Sequence, residues 1–210
     1  MSRTKLGSIV FRSNPDTPEL AQKVTYALFN SPDTELDAIT ELVFTRPTGG
    51  FDLSRLPLNL EVLTAPHLVT VPAPNYIAVA HLDSLHTIGL PLLATACGIE
   101  ILSNAALTSA VFLNLATTPD PTTQWEIRNN PALATLVFPS LATPPHNLNF
   151  DGNALSEDSV NNLLVQLAGL AWAAPDRAVK VNAGTSHAPT GAGAAAKAAM
   201  IAAGATVTTN

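Results

Sequence analysis

The pattern Leu-x-x-Leu-x-x-x-x-Leu occurs four times in the middle of this 210-residue chain, at Leu60-Leu63-Leu68, Leu82-Leu85-Leu90, Leu107-Ala110-Leu115 and Leu133-Leu136-Leu141. The copies start 22, 25 and 26 residues apart, and Ala110 is the one substitution in twelve positions. A fixed period in the range of roughly 20 to 50 residues indicates units that stack on one another. In front of each copy lies a segment alternating at period two: Phe51-x-Leu53, Ile77-x-Val79, Ile99-x-Ile101 and Trp125-x-Ile127. Leu148-x-Phe150 and Val179-x-Val181 continue the series. Such alternation marks a strand with one buried face. Each unit therefore reads as a strand, a turn, a second short extended segment and a return loop rich in Pro or Gly. One unit cannot bury its apolar stripe alone, so it must lie against its neighbours.

Asn104, Asn130 and Asn153 each stand three residues after the last inward strand position. There the chain bends and its backbone leaves the sheet. An inward Asn at that point supplies a donor and an acceptor to the freed groups of its own and the adjacent unit. The recurrence in register predicts a ladder of asparagines along the stack.

The run IRNNPALATLVFPSLATPPHNLNFDGNALS resembles the leucine-rich-repeat variant of receptor L-domain-type solenoids, and the resemblance spans about residues 51 to 156. Asn-Pro stands only at Asn130-Pro131; Asn104 and Asn153 are followed by Ala, and the unit at Ile77 is shorter and lacks the Asn. The segment from LSEDSVNNLLVQLAGLAW through the closing VTTN is similar to the ending of bacterial and phage leucine-rich-repeat proteins. Ser156 can cap a helix with Val160, Leu163, Leu164 and Leu167 on one face, and Ala194–Ala203 can form a thin second helix. Thr17-Pro18-Glu19 opens a helix carrying Leu20, Val24, Ala27 and Leu28, and a second apolar segment runs through Leu36, Ile39 and Leu42 to Phe44. The expected fold is an α/β repeat, a right-handed leucine-rich-repeat-like solenoid with a parallel sheet, irregular coils and helices mainly at the two ends. Residues 1–50 then form an N-terminal cap or attachment segment with one helix. Residues 51–156 form the solenoid, and 157–210 a helix-strand-helix-strand cap continuous with it.

Charge narrows the function. Charged residues are 12% of the chain, against roughly 25% in typical soluble domains. Residues 60–150 hold six of them, Glu61, Asp83, Glu100, Asp120, Glu126 and Arg128, whereas residues 1–59 hold thirteen. A net charge of −6 speaks against nucleic acid. No apolar run is long enough for membrane insertion, and MSRTKLGSIVFRSNPD has too short an apolar stretch for a Sec signal peptide. The lone Cys97, in LLATACGIEI, reads as a packing residue.

TGAGAAAK, residues 190–197, imitates a phosphate-binding loop. A P-loop, however, needs Gly before the Lys and Ser or Thr after it, and both neighbours of Lys197 are Ala. The histidines 67, 81, 86, 146 and 187 lack metal-ligand spacing, although His81 and His86 flank Asp83. No nucleophile elbow or acid–base carboxylate pair is placed by spacing. The reading is therefore of a non-enzyme with no catalytic residues, no cofactor and no metal.

If the inward strand residues are those named above, their alternates form two outward columns: Asp52, Ala78, Glu100, Glu126, Asn149, Lys180, and Ser54, Ala80, Leu102, Arg128, Asp151, Asn182. The candidate binding face is Asp52, Glu100, Glu126, Arg128, Asn149, Asp151 and Lys180. With the resemblance, these features imply a noncatalytic structural or adhesive solenoid. Its expected partners are other copies of itself, a structural partner protein, or a host-surface protein or glycan. A monomeric protein-recognition module using the exposed strand face is the alternative. The resemblance implies a phage virion as the location, with the bacterial cell surface or cytoplasm as alternatives.

Overall fold

A computed structural model of the chain describes residues 8–11, 41–44, 51–54, 59–170 and 177–210. The helix expected from Thr17 lies outside the described residues. In chain order the strands are β1 (Ser8–Phe11), β2 (Glu41–Phe44), β3 (Phe51–Asp52), β4 (Val62–Thr64), β5 (Thr70–Ala80), β6 (Thr87–Gly89), β7 (Thr95–Leu102), β8 (Ser109–Val111), β9 (Gln124–Arg128), β10 (Thr135–Val137) and β11 (Asn147–Asn149). Helix α1 (Glu157–Gly169), β12 (Ala178–Val181), helix α2 (Gly191–Ala202) and β13 (Thr206–Thr209) follow. Among the described residues the fold is α/β with parallel strands and few helices, and no sheet closes into a barrel.

The largest sheet has seven strands in the order β13-β12-β11-β9-β7-β5-β3, each parallel to its neighbours. Its core is the alternation read from the sequence: Ile77, Ile99, Trp125, Leu148 and Val179 lie side by side in register and are all buried. A second ladder runs β1-β2-β4-β6, and β8 and β10 hold the same place in the next two units. Strands β1 and β2, which the sequence reading did not assign, place two parts of residues 1–50 in this ladder. A third ladder is thinner: Thr70 pairs with Thr95, Thr95 with Thr117, and Thr117 with Thr143.

The leucine pattern explains why the units hold together. All twelve of its positions are buried. Full burial of one such side chain contributes roughly 1.5–3 kcal/mol, and the leucines of all four copies belong to one continuous core. Between the later units the filling is aromatic: Phe138 stacks on Phe112 at 5.1 Å, on Trp125 at 5.8 Å and on Phe150 at 6.0 Å between ring centroids.

At the corner after each seven-stranded-sheet strand the asparagine ladder forms. The Asn104 backbone N–H donates to Asn130 Oδ1 at 2.9 Å, and the Asn130 N–H to Asn153 Oδ1 at 3.0 Å. Each side-chain amide also donates back to the previous unit: Asn104 to Val79 O, Asn130 to Ile101 O and Asn153 to Ile127 O. All three asparagines are buried. At the unit that lacks the Asn, the Leu82 N–H donates to Asn104 Oδ1. The residue before each ladder position has positive φ: His81 59°, Ser103 56°, Asn129 58° and Gly152 70°. A left-handed conformation costs a non-glycine residue roughly 1–2 kcal/mol. The satisfied backbone on either side offsets that cost.

In the last units helices take the place of the second ladder. Ser156 caps α1 by accepting from the Ser159 N–H. The Ser159 hydroxyl then bonds both Leu136 N–H and Leu136 O, occupying the edge of β10 as a next strand would. Helix α2 packs on α1. A Cβ at Gly193 would come within 2.8 Å of Asn161 Cα, so glycine is required there for the helices to approach. Asn161 Oδ1 accepts the Thr190 N–H at the start of α2.

Asn130→Ala removes the acceptor of the buried Asn104 N–H and the donor to the buried Ile101 O, both in the preceding unit, and it should destabilise the chain by about 3 kcal/mol in urea unfolding. Gly152→Ala, at φ 70° and with its Cβ 3.2 Å from Asn129 Cα and N, should cost at least about 1 kcal/mol. An equivalent loss for an exposed Thr→Ala change would show that neither residue supports the corner.

Candidate functional site

The parallel register brings the predicted face together. Asp52, Ala78, Glu100, Glu126, Asn149 and Lys180 are successive partners across β3, β5, β7, β9, β11 and β12. Neighbouring strands are spaced by about 4.8 Å, so Glu100 and Glu126 stand side by side. In the second column Ala80 pairs with Leu102 and Leu102 with Arg128, and the Asn182 N–H donates to Asp151 Oδ1 at 2.8 Å. Asp52 and Lys180 are exposed, and Glu100, Glu126, Arg128, Asn149 and Asp151 are half-buried.

Ala78 and Ala80 correct the expectation of an exposed alternate set. Both are buried. Ala78 stands between Asp52 and Glu100, and its methyl is too short to rise above the longer side chains on the flanking strands.

Glu126 is held from both sides. The Gln124 amide donates to Oε1 and the Arg128 guanidinium to Oε2, the latter at 3.2 Å. Gln124 pairs with Asn147 at a further outward position, which the sequence reading did not assign, and Tyr76 pairs with Gly98 one residue before the inward Ile77 and Ile99. Its signal was present two residues before Glu126. The Glu100 carboxyl is raised above its ordinary pKa by burial first and then by the charges of Glu126 and Asp52, with Arg128 pulling the other way. This face can offer hydrogen bonds and fixed charge to a polar surface. Among the described residues, no group of three or more His, Cys, Asp or Glu could hold a metal ion.

The other two ladders have a different chemistry. Four ten-residue segments superpose unit by unit: VLTAPHLVTV (62–71), TIGLPLLATA (87–96), SAVFLNLATT (109–118) and TLVFPSLATP (135–144). None of these forty residues is Asp, Glu, Lys or Arg. Their second, fourth, seventh and tenth positions are buried and the rest face outward or lie part-buried. The ninth position is always threonine, forming the column Thr70, Thr95, Thr117 and Thr143; Thr95 and Thr117 hydroxyls lie 3.3 Å apart. Beside them Val69, Ala94, Ala116 and Ala142 follow one another through backbone hydrogen bonds. Val69, Leu92, Val111 and Leu113, four of the seven large apolar side chains exposed among the described residues, lie on these segments. The charges of residues 60–150 sit elsewhere: Glu100, Glu126 and Arg128 on the seven-stranded sheet, and Glu61, Asp83 and Asp120 in connections.

The remaining motifs have structural roles. TGAGAAAK is the start of α2, held by Asn161. His81 and His86 are exposed in the turn between β5 and β6. Cys97 is buried, and burial raises its thiol pKa. Among the described residues, no helix is long and apolar enough to cross a membrane. Comparison with family models, curated proteins and solved structures finds no match to this chain.

A carboxyl with a raised folded-state pKa binds its proton more tightly when folded. Folding stability therefore declines as pH rises from the unfolded carboxyl range through the folded pKa of Glu100. Glu100→Gln should be more stable than the parent at pH 7 and equal to it near pH 3 in urea titrations. A variant less stable at both values would mean that Glu100 is a net attractive partner of Arg128.

Proposed function

We propose that this chain is a noncatalytic, right-handed, leucine-rich-repeat-like solenoid that works by lateral packing, as a structural or adhesive component of a phage virion or a bacterial surface. The observation that carries the reading is the division of chemistry between its sides. One sheet bears the charged columns, while forty aligned residues of the other two ladders, from β4 onward, bear no charge and expose Val69, Leu92, Val111 and Leu113; Glu41 in β2 is a charge of the second ladder outside those forty. Exposed apolar surface gathered on one side marks a contact with another macromolecule. The hand follows from the strong preference of parallel crossovers for the right. The virion assignment is supported by the likeness of the C-terminal segment to phage leucine-rich-repeat endings. The alternative, a monomeric recognition module, is supported by the half-buried Glu100, Glu126 and Arg128 on the charged sheet.

Hydroxyl-radical footprinting separates the two readings. In the native assembly, compared with the purified chain, Val69, Leu92, Val111 and Leu113 should be protected. Protection of Tyr76 and the Glu100–Arg128 columns, with the charge-free side still reactive, would favour the recognition module.

A further inference from the structure

We infer that Tyr76, Glu100, Gln124 and Arg128 form a binding site for a neutral saccharide on the outward face of the seven-stranded sheet. The inference rests on the adhesive part of the function proposed above and names the class of ligand.

Position comes first. Tyr76 pairs with Gly98, and Gly98 and Gln124 each stand one residue before the inward pair Ile99 and Trp125, so the three occupy corresponding outward places on β5, β7 and β9. A Cβ at Gly98 would come within 2.9 Å of Tyr76 Cβ, so the glycine leaves room for the tyrosine side chain between its own strand and β5. Tyr76 is 43% exposed, and it is the only aromatic among the large apolar side chains exposed in the described residues. Two residues further along, Glu100 and Glu126 are register partners.

Chemistry selects the ligand. A saccharide ring has an apolar C–H face, which an exposed aromatic ring can cover, and a rim of hydroxyls that both donate and accept. Planar amide, carboxyl and guanidinium groups match neighbouring hydroxyls in pairs. Here they are held in place before anything binds: the Gln124 amide nitrogen and Arg128 Nε donate to the two oxygens of Glu126. Those bonds do not use the Gln124 carbonyl oxygen, an acceptor, or the terminal nitrogens of Arg128, which are donors. Groups already fixed lose less freedom on binding.

Other ligands fit this face less well. The backbones of β5, β7 and β9 each have a partner strand on both sides, so no peptide strand can be added there. Asp52, Glu100 and Glu126 outnumber Arg128 and repel anions. A cationic ligand would compete with Arg128 for Glu126.

Isothermal titration of the purified full chain tests the inference. The probes are two neutral hexamers, maltohexaose and the β-1,4-linked hexamer of N-acetylglucosamine, with hexagalacturonate as the acidic comparator. At least one neutral hexamer should bind with a dissociation constant of about 1 mM or tighter, and hexagalacturonate at least about tenfold more weakly. Tyr76→Ala and Gln124→Ala should each raise the constant for the neutral hexamer at least about fivefold, while Tyr76→Phe keeps it within about twofold. Leu113→Glu, on the charge-free segments, should leave it unchanged. Circular dichroism and melting temperature separate lost binding from lost fold, and if Tyr76→Ala does not fold, Gln124→Ala decides. Binding of neither neutral hexamer, binding that survives the folded variants, or tighter binding of hexagalacturonate overturns the inference. The footprinting above judges the packing function separately: protection of Val69, Leu92, Val111 and Leu113 upholds it even where no saccharide binds.

Discussion

Each time the chain leaves the seven-stranded sheet it must turn while still inside the protein, and its backbone donors and acceptors lose their sheet partners at that point. An unpaired buried polar group costs roughly 1–3 kcal/mol, and the corner recurs in every unit. Asparagine solves this because one side chain carries both an acceptor and a donor. Asn104, Asn130 and Asn153 accept the N–H of the residue one unit before and donate to the carbonyl of that unit's last inward residue. The left-handed residues at 81, 103, 129 and 152 are tolerated because these bonds fix the chain on both sides of them. Register in the rest of the fold depends on that stack. If Asn130 bonds Ile101 O and Asn153 bonds Ile127 O, then β7, β9 and β11 cannot slip against each other.

A fixed register converts a sequence with little charge into sides of distinct chemistry. Side chains at one position in successive units become columns, so a preference that is weak in any one unit is multiplied along the stack. Glu100 beside Glu126 is one result: two carboxyls that a looser sheet would separate are held on adjacent strands, and Gln124 and Arg128 stabilise the second of them. The threonine column is the other. A single Thr117 would be an unremarked surface residue, but with Thr70, Thr95 and Thr143 it forms a continuous neutral strip.

Much of the fold was legible because its residues are buried under period-two or leucine constraints. Ile99-x-Ile101 and Trp125-x-Ile127 can be little other than one-faced strands, and Leu136 had nowhere to go but inward. The asparagines were legible from recurrence at a fixed distance from those strands. What escaped reading lies where the constraint is weak. Strands of three residues, such as β6 and β8, are too short for alternation to show, so the leucine pattern gave a short extended segment there but not its bounds. The threonine column faces outward, where a polar loop would also place threonine. Strand β5 begins at Thr70 rather than at Ile77, because Pro72 and Pro74 give that stretch the composition of a return loop, and its pairing with β7 shifts register between Val71 and Tyr76. Ala78 and Ala80 were placed correctly in their columns but not in their exposure, which depends on neighbours across the sheet. On the candidate face, Gln124 was overlooked because its role exists only through its contact with Glu126.

The helices decide where the second ladder ends. A sheet edge left open invites another strand, and a stack of parallel ladders could in principle extend end to end. Here the second ladder is stopped at β10: Ser159 takes the hydrogen bonds of Leu136, and Gln166 donates to Phe138 O. Helix α2, seated on α1 through Gly193, covers the next position. A further copy therefore finds no free second-ladder edge there on which to continue the stack. Among the described residues, exposed apolar side chains recur in consecutive units on the charge-free segments, at Val69, Leu92 and Leu113.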